Sequence, residues 1–440
     1  MRTKAYPTYK DSGIDRIGKV PAHWAIRKAT WLFAIGSGTT PSSENPAYYN
    51  GDIHWITTSE LRESVVGATA KMITKKAQID YSSLRLHPKG SIAVAMYGAT
   101  IGRLGILGVP ATVNQACCVF SAPCGVVMQF WFYWLQMRRT FLVSLGYGGG
   151  QPNLSQELLR SIRAPIPTEL EQQVIADFLD RETAKIDALV EKKERLIELL
   201  KEKRTALITH AVTRGLDSNV RMKDSGIEWL GQIPAHWNPG RIGIFSQQVT
   251  DGAHISPDTA SPDHPFVSTV DIVGGRIDFE NCLGTTSETY AYMVRTGCRP
   301  RRGDVLFSKD GTVGRTTVVD SDAEFVVASS LVIISPRKEV VMPRHLDYWL
   351  NGTFIQELVE LFLSGAALRR ISVAKVGNLP IALPPLNEQQ AIVDFLDRET
   401  AKIDALVSKI QEAIERLKEY RTALISAAVT GKIDVRNTPS

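Results

Sequence analysis

Apolar residues recur at helical spacing through residues 168–214 and again through residues 386–430, two stretches without a single Gly or Pro. Both are rich in Ala, Leu, Glu, Lys and Arg, and helix propensity summed over so long a window is informative although single residues are not. With Leu179 lettered as heptad position a, the first stretch puts Leu179, Ile186, Lys193, Leu200 and Leu207 on one seam. The second puts Leu396, Ile403, Ile410, Leu417 and Leu424 on the same seam. Position d is mixed: Glu182, Leu189, Leu196 and Lys203, then Glu399, Leu406, Ala413 and Tyr420. Position e adds Val190, Ile197, Val407 and Ile414. A stripe of a, d and e is wider than a two-stranded coiled coil needs. The pattern predicts two long amphipathic helices that pack on each other with apolar surface to spare. Val190, Ile197, Val407 and Ile414 are the candidates for docking another protein, with packing on the rest of this chain as the alternative.

The two stretches are copies. The segment DFLDRETAKIDALV at Asp177–Val190 returns unchanged at Asp394–Val407, 217 residues on. The repeat extends beyond the helices: KDSGI at Lys10 recurs at Lys223, VPAHW at Val20–Trp24 returns as IPAHW at Ile233–Trp237, and YWL at Tyr133–Leu135 returns at Tyr348–Leu350. Gly90–Val94 matches Gly303–Phe307, and Gly102 with Arg103 matches Gly314 with Arg315. Two copies at so long a period indicate duplication of a whole unit rather than a solenoid. Between the helices, short β-like runs sit among Gly, Pro, Asn and Asp turns: Ile53–Thr57, Ser91–Met96 and Ala111–Val113, then Pro265–Val270, Asp304–Ser308 and Phe325–Val327. A helical stretch follows each set, near residues 127–145 and 343–363. The predicted class is α+β: two globules, each with a mainly antiparallel sheet, alternate with two long helices. If each helix starts at its own globule and the seams meet, the helices form an antiparallel coiled coil. The duplication then has pseudo-twofold symmetry, with the globules at opposite ends of a rod of roughly 66 Å.

Charge sharpens this picture. The net +5 is unevenly placed: residues 1–165 carry 18 Lys and Arg against 8 Asp and Glu, whereas residues 216–383 carry 16 against 19. The first globule therefore suits a polyanion. The second is not basic overall but concentrates arginine between Arg295 and Arg302. Five Cys without CxxC spacing fit a reducing compartment and argue against a zinc cluster. The N-terminal residues lack an apolar signal core, and no run approaches the length of a membrane span, so a cytoplasmic protein is expected.

Candidate chemistry is thin. Asn45-Pro-Ala-Tyr48 is one residue from the Asn-Pro-Pro-Tyr loop of adenine methyltransferases, but no glycine-rich cofactor turn accompanies it. Gly36–Thr40 lacks the Lys-Ser/Thr ending of a phosphate loop. Glu191-Lys-Lys193, which matches a loose nuclease motif, falls within a predicted helix, and the eight His show no metal-ligand spacing. No catalytic residue and no metal site are expected. Recognition is the alternative, because Arg, Asn and Gln read base edges and Lys holds phosphate. In the first globule the candidates are Arg62, Lys71, Lys75, Lys76, Arg85, Lys89 and Arg103, with Gln151 and Asn153 in a glycine-rich loop. In the second they are Arg276, Arg295, Arg299, Arg301, Arg302, Lys309, Arg315, Arg369 and Arg370. A self-contained methyltransferase or nuclease, and a coiled-coil scaffold for proteins, are the competing readings.

The chain resembles the DNA specificity subunit of type I restriction–modification systems. The matching residues are Tyr9–Ile14 with Val20–Trp24, Gly36–Pro41 followed by Tyr49–Trp55, Pro384–Gln390 at the start of the second helix, and Val429–Asp434 after it. The first helix departs slightly, opening with Pro167-Thr-Glu-Leu-Glu171 in place of Pro-Pro-Leu-Asn-Glu. The resemblance implies target-recognition domains at residues 1–165 and 216–383, each reading half of a bipartite, asymmetric site in double-stranded DNA. Residues 166–215 and 384–432 would be the conserved spacer helices, with a tail at 433–440. Two methyltransferase subunits using S-adenosylmethionine would dock on the helices, and restriction subunits using ATP and Mg would join them. This chain would itself hold no cofactor.

Overall fold

The computed structural model describes residues 4–146, 153–228, 230–252, 254–258, 263–363 and 369–436. The long helices span Glu169–Arg214 and Leu386–Val429. The chain divides into two compact units, residues 1–192 with 412–440 and residues 193–411. Each unit thus holds one globule, the beginning of one long helix and the end of the other.

The sequence motif at the start of each helix explains how it is anchored. In the first unit, Trp24 Nε1 donates to Glu171 Oε1 at 3.1 Å and His23 Nε2 meets Glu171 Oε2 at 2.9 Å. In the second, Trp237 donates to Glu388 at 3.1 Å and His236 meets its other oxygen at 2.6 Å. A carboxylate in the first helical turn is also favoured by the helix dipole. The neighbouring glutamine closes the joint. Gln172 receives the Val127 N–H at 2.7 Å and donates to the Pro167 and Gly125 carbonyls. Gln389 does the same with Met342, Pro384 and Val340. About two turns further on, Tyr133 donates to Asp180 and Tyr348 to Asp397, both at 2.6 Å. The buried members of these joints, Trp24, Glu171, Gln172, Tyr133, Trp237, Tyr348 and Gln389, therefore all have partners, as burial demands.

Each globule's core takes in both helices. In the first unit, Trp24, Phe130, Trp131 and Trp134 pack with Ile175, Phe178 and Leu179 of the first helix and Ile425, Ala428 and Val429 of the second. In the second unit, Trp237, Phe307 and Trp349 pack with Ile392, Val393 and Leu396 of the second helix and Ile208, Ala211 and Val212 of the first. The start of one helix and the end of the other enter the same core, so the pair is antiparallel. Asp187 with Arg421, and Asp404 with Arg204, form the same bidentate bridge with the helices exchanged, at 2.9–3.1 Å and 3.0–3.4 Å. Such exposed bridges set register more than stability.

The seam differs from the heptad expectation. Ile197 is 8% exposed and Ile414 1%, while Leu189, Leu196 and Leu406 are 43–44% exposed and Tyr420 57%. Val190 and Val407 are half-buried. Rows a and e are therefore the packed rows, and row d faces outward. Ile197 and Ile414 are consequently not available to dock a partner. The physical reason lies in row d itself, where Glu182, Lys203 and Glu399 could not enter an apolar seam without losing hydration.

The globules are α+β, as expected, and mainly antiparallel. In the first, a five-stranded sheet runs Ala34–Ser37, Cys117–Ser121, Ile92–Ala95, Leu104–Leu107, Ser64–Val66, with only the last pair parallel. A three-stranded sheet sets Tyr49–Ile56 between Ala111–Val113 and Met72–Ile73. The second globule repeats this with Ser246–Asp251, Leu331–Pro336, Val305–Ser308 and Thr316–Val318, and with His264–Val267 between Leu283–Thr285 and Val326–Val327. The helical stretch expected over residues 343–363 is two helices, Pro343–Leu350 and Thr353–Leu363. The break falls at Asn351, whose side-chain amide donates to the Asp347 carbonyl and to Thr316. Residues expected to begin a tail are packed: Asp434 bridges to Lys4, Val435 is buried, and Tyr9 donates to the Gly431 carbonyl. Gly431 adopts φ +70° against Pro21 and Trp24, where a Cβ would clash at 2.3 Å.

Repeat position 130 differs in one informative way: Phe130 of the first core is His345 in the second, fully buried with neither ring nitrogen bonded. Burial pushes the His345 pKa down to about 3. The unfolded chain therefore takes up this proton first, and stability falls as pH drops below about 6.5, by ~1.4 kcal/mol per pH unit, levelling off near pH 3. His345→Phe, borrowing the first globule's residue, should remove that slope. Urea titrations at pH 7 and pH 5 should show the parent losing about 2 kcal/mol more than the variant. Equal losses would mean that the imidazole is hydrated.

Candidate nucleic-acid interface

The first globule holds most of its candidates on short, well-anchored elements. Lys75 and Lys76 open the helix Lys75–Asp80, capped by Thr74, whose hydroxyl receives the Ala77 N–H at 3.3 Å. Ala77 packs with Trp55, Ile73 and Leu84, so Lys71, Lys75, Lys76 and Arg85 all flank members of one small core. All four are exposed, as are Lys89, Arg62 and Asn153. Lys76 pairs with Asp80 at 3.1 Å. Arg103 is half-buried, and the bond from Glu63 N–H to the Leu104 carbonyl ties its strand to the segment carrying Arg62. Gln151 lies outside the described residues.

The second globule separates its candidates into three groups. Arg276 stands in the hairpin Ile272–Val273/Arg276–Ile277, and Arg315 reaches the same hairpin by donating to the Ile272 carbonyl at 3.3 Å. Both line a cleft of about 1,320 Å³ whose other walls include Arg204, Arg344, Asp347, Asp397 and Asp404. Arg204 and Arg344 are already paired with these aspartates, which leaves Arg276 and Arg315 as the cleft's cations without an ion pair among the described residues. A second group runs through Arg295, Arg299, Arg301 and Arg302. Arg299 pairs with Glu324 at 3.0 Å and Arg302 with Asp322 at 3.4 Å, and Arg295 and Arg301 are exposed. The third group is Arg369, paired with Glu360 at 2.6 Å, and Arg370, paired with Asp310.

Lys309 is corrected by the structure. It is 4% exposed, with its ammonium 3.2 Å from Asp310 and 3.4 Å from Asp251, so it does not present itself to DNA phosphate. A buried ammonium is tolerated only when paired in this way. Asp310 adjoins Lys309 in the chain, whereas Asp251 and His254 come from another segment, the end of strand Ser246–Asp251 and the bend after it. Only the tertiary fold brings Asp251 to Lys309.

The catalytic look-alikes have structural roles. Asn45 caps the short helix Pro46–Tyr48, its side chain receiving the Ala47 N–H at 3.1 Å. Burial pushes the Cys118 thiol up to about 12 and Cys117 higher still, the opposite of an activated nucleophile. Among the described residues, no group of three or more His, Cys, Asp or Glu is placed to hold a metal ion, and no helix is long and apolar enough to cross a membrane.

Duplicated α+β globules bearing exposed Arg, Lys and Asn on loops, alternating with two paired helices, define a recognition protein. The family model for the type I restriction modification DNA specificity domain matches residues 21–199 and again 258–416, and the chain belongs to that family. It is 25% identical to the specificity subunit of the type I restriction enzyme MjaIX of Methanocaldococcus jannaschii, over 95% of either chain. It is 22% identical to the EcoKI specificity subunit of Escherichia coli, over 94% of this chain and 90% of that one. The fold matches a chain from a type I restriction–modification assembly with a TM-score of 0.67 at 18% identity, covering 94% of this chain and 99% of that one. It also matches the HsdS subunit of Thermoanaerobacter tengcongensis with a TM-score of 0.52 at 18% identity, covering 94% and 98%.

The two kinds of cation should respond oppositely to truncation. Lys309→Ala removes the buried cation shared by Asp251 and Asp310, leaves Asp310 with Arg370 alone and Asp251 with His254 alone, and should lower the unfolding free energy by about 1–3 kcal/mol. Arg85→Ala should stay within about 0.5 kcal/mol yet weaken DNA binding. Denaturant melts and a salt-dependent binding assay separate them, and a Lys309→Ala protein of parental stability would refute the structural role.

Proposed function

We propose that this chain is the DNA-recognition subunit of a type I restriction–modification complex, its two globules each reading one half of a bipartite, asymmetric site. The observation that carries this reading is duplication with divergence. The joint of Glu, His and Trp is repeated atom for atom, while the exposed loop residues differ between copies. Residues 1–165 and 216–383 are the reading heads, and residues 166–215 and 384–432 are the spacers that fix the distance between half-sites. A helical separator suits this task because its length is set by 1.5 Å per residue rather than by a flexible linker.

Catalysis belongs to the partners. Two methyltransferase subunits using S-adenosylmethionine dock on the helix pair, and restriction subunits using ATP and Mg complete the assembly, acting on cytoplasmic double-stranded DNA. The apolar row open to methyltransferase subunits is Leu189, Leu196, Leu406 and Tyr420, with Val190 and Val407 at its edge.

Exchanging residues 1–165 for those of another family member should change one half of the methylated motif and preserve the other, read by mapping modified adenines genome-wide. A motif changed in both halves, or in neither, would refute modular reading. Inserting seven residues into one long helix should alter the spacing between halves or abolish assembly. Unchanged spacing with full methylation would refute the role of the helices as a ruler.

A further inference from the structure

The two globules place different side chains on one repeated piece of backbone. In the first, Met96 N–H donates to the Ala116 carbonyl at 2.8 Å, and the Met96 carbonyl receives the Leu154 N–H at 2.7 Å. In the second, Lys309 N–H donates to the Ser330 carbonyl at 2.9 Å, and the Lys309 carbonyl receives the Ile371 N–H at 3.0 Å. These paired bonds equate Met96 with Lys309, Tyr97 with Asp310, and Asn153 with Arg370. Asn153 and Arg370 are both exposed.

Arg370 ends a run of alternating charges. Its Nε donates to Asp310 Oδ1, whose other oxygen receives Lys309 Nζ at 3.2 Å. Lys309 also reaches Asp251 Oδ2 at 3.4 Å, and His254 Nε2 meets the same oxygen at 3.0 Å. The backbones of Asp310 and Arg370 form an antiparallel bridge as well. Stability alone does not explain this arrangement. A buried charge pair is often no better than apolar packing, and the first globule fills the Lys309 position with Met96. What the charges do achieve is orientation. A guanidinium held through Nε leaves its end-on edge free, with one N–H from each Nη group forming the fork that matches guanine O6 and N7. An asparagine at the same place presents the donor–acceptor pair that matches adenine N7 and N6.

We propose that Asn153 and Arg370 are equivalent base-reading residues of the two globules, Asn153 for adenine and Arg370 for guanine, with Asp310, Lys309 and Asp251 as positioning residues for Arg370. The proposal rests on the reading of each globule as a recognition head. It requires a G·C pair in the half-site of the second globule.

The test uses the full chain assembled with its methyltransferase subunits, acting on duplexes randomised in both half-sites, with modified adenines sequenced in context. Arg370→Ala and Arg370→Lys should each relax a guanine preference at one position of the second half-site by about 5- to 150-fold, leaving the first half intact. Lysine keeps the charge but not the fork, so it should not rescue. Asn153→Ala should relax an A·T preference at one position of the first half. Asp310→Asn should relax the same position as Arg370→Ala, and combining the two should add nothing further, which a merely structural role would not produce. The proposal is overturned if Arg370→Ala weakens all sequences equally and lowers the salt slope by about one, the signature of a phosphate contact. It is also overturned if preferences are unchanged in a variant whose thermal melt matches the parent. Exchange of residues 216–383 in the same assay isolates the underlying premise: if neither half of the motif changes, the second globule is not a reading head at all.

Discussion

The carboxylate in the first turn of each long helix is the fixed point of this molecule. Glu171 and Glu388 each bind an indole N–H and an imidazole from the loop that opens their own globule, more than 140 residues earlier in the chain. An indole as deeply buried as Trp24 or Trp237 would lose roughly 1–3 kcal/mol if its N–H were left unpaired. The bond therefore constrains where the helix can start relative to the globule. The glutamine beside it satisfies carbonyls that the helix start would otherwise strand, so joint and core form together. Distally, its apolar rows meet the other helix and the Asp–Arg bridges fall into register.

Much of this was legible in the chain because it is periodic or repeated. The two helices are visible from apolar spacing over more than forty residues, and the duplication from motifs such as PAHW and DFLDRETAKIDALV. The packed face differs by one row from the heptad expectation, since Leu189 and Leu406 look like core residues until the charges that share their row are weighed. Strand existence was legible from β-branched runs and turns, but strand order was not. The parallel pairing of Ala111–Val113 with Tyr49–Ile56 depends on contacts across more than fifty residues, which no local pattern encodes. The burial of Lys309 is illegible for the same reason. A lysine looks exposed by composition, and only Asp251, brought from another strand, makes its burial tolerable. The single helix expected after the second sheet failed at Asn351, whose side chain competes for the helical carbonyl of Asp347.

The duplication also supplies an internal comparison that a single globule could not. Where the copies agree, as in the Glu–His–Trp joint or Tyr133–Asp180 against Tyr348–Asp397, the shared backbone needs that chemistry to close. Where they differ inside the core, the substitution preserves bulk: His345 fills the space of Phe130 while remaining neutral. Such differences carry no information outward.

Differences that bring charge inside obey another rule. The change from Met96 to Lys309 keeps bulk but not polarity, and it introduces a buried charge that packing does not require. A desolvated ammonium is stable only while both of its carboxylates are present, so Asp251, Lys309 and Asp310 stand or fall as a unit. The direction of the Arg370 guanidinium depends on Asp310, and that of Asp310 on Lys309. A duplicated scaffold can vary such a unit in one copy without disturbing the helix joint of His236, Trp237 and Glu388, which uses none of its residues.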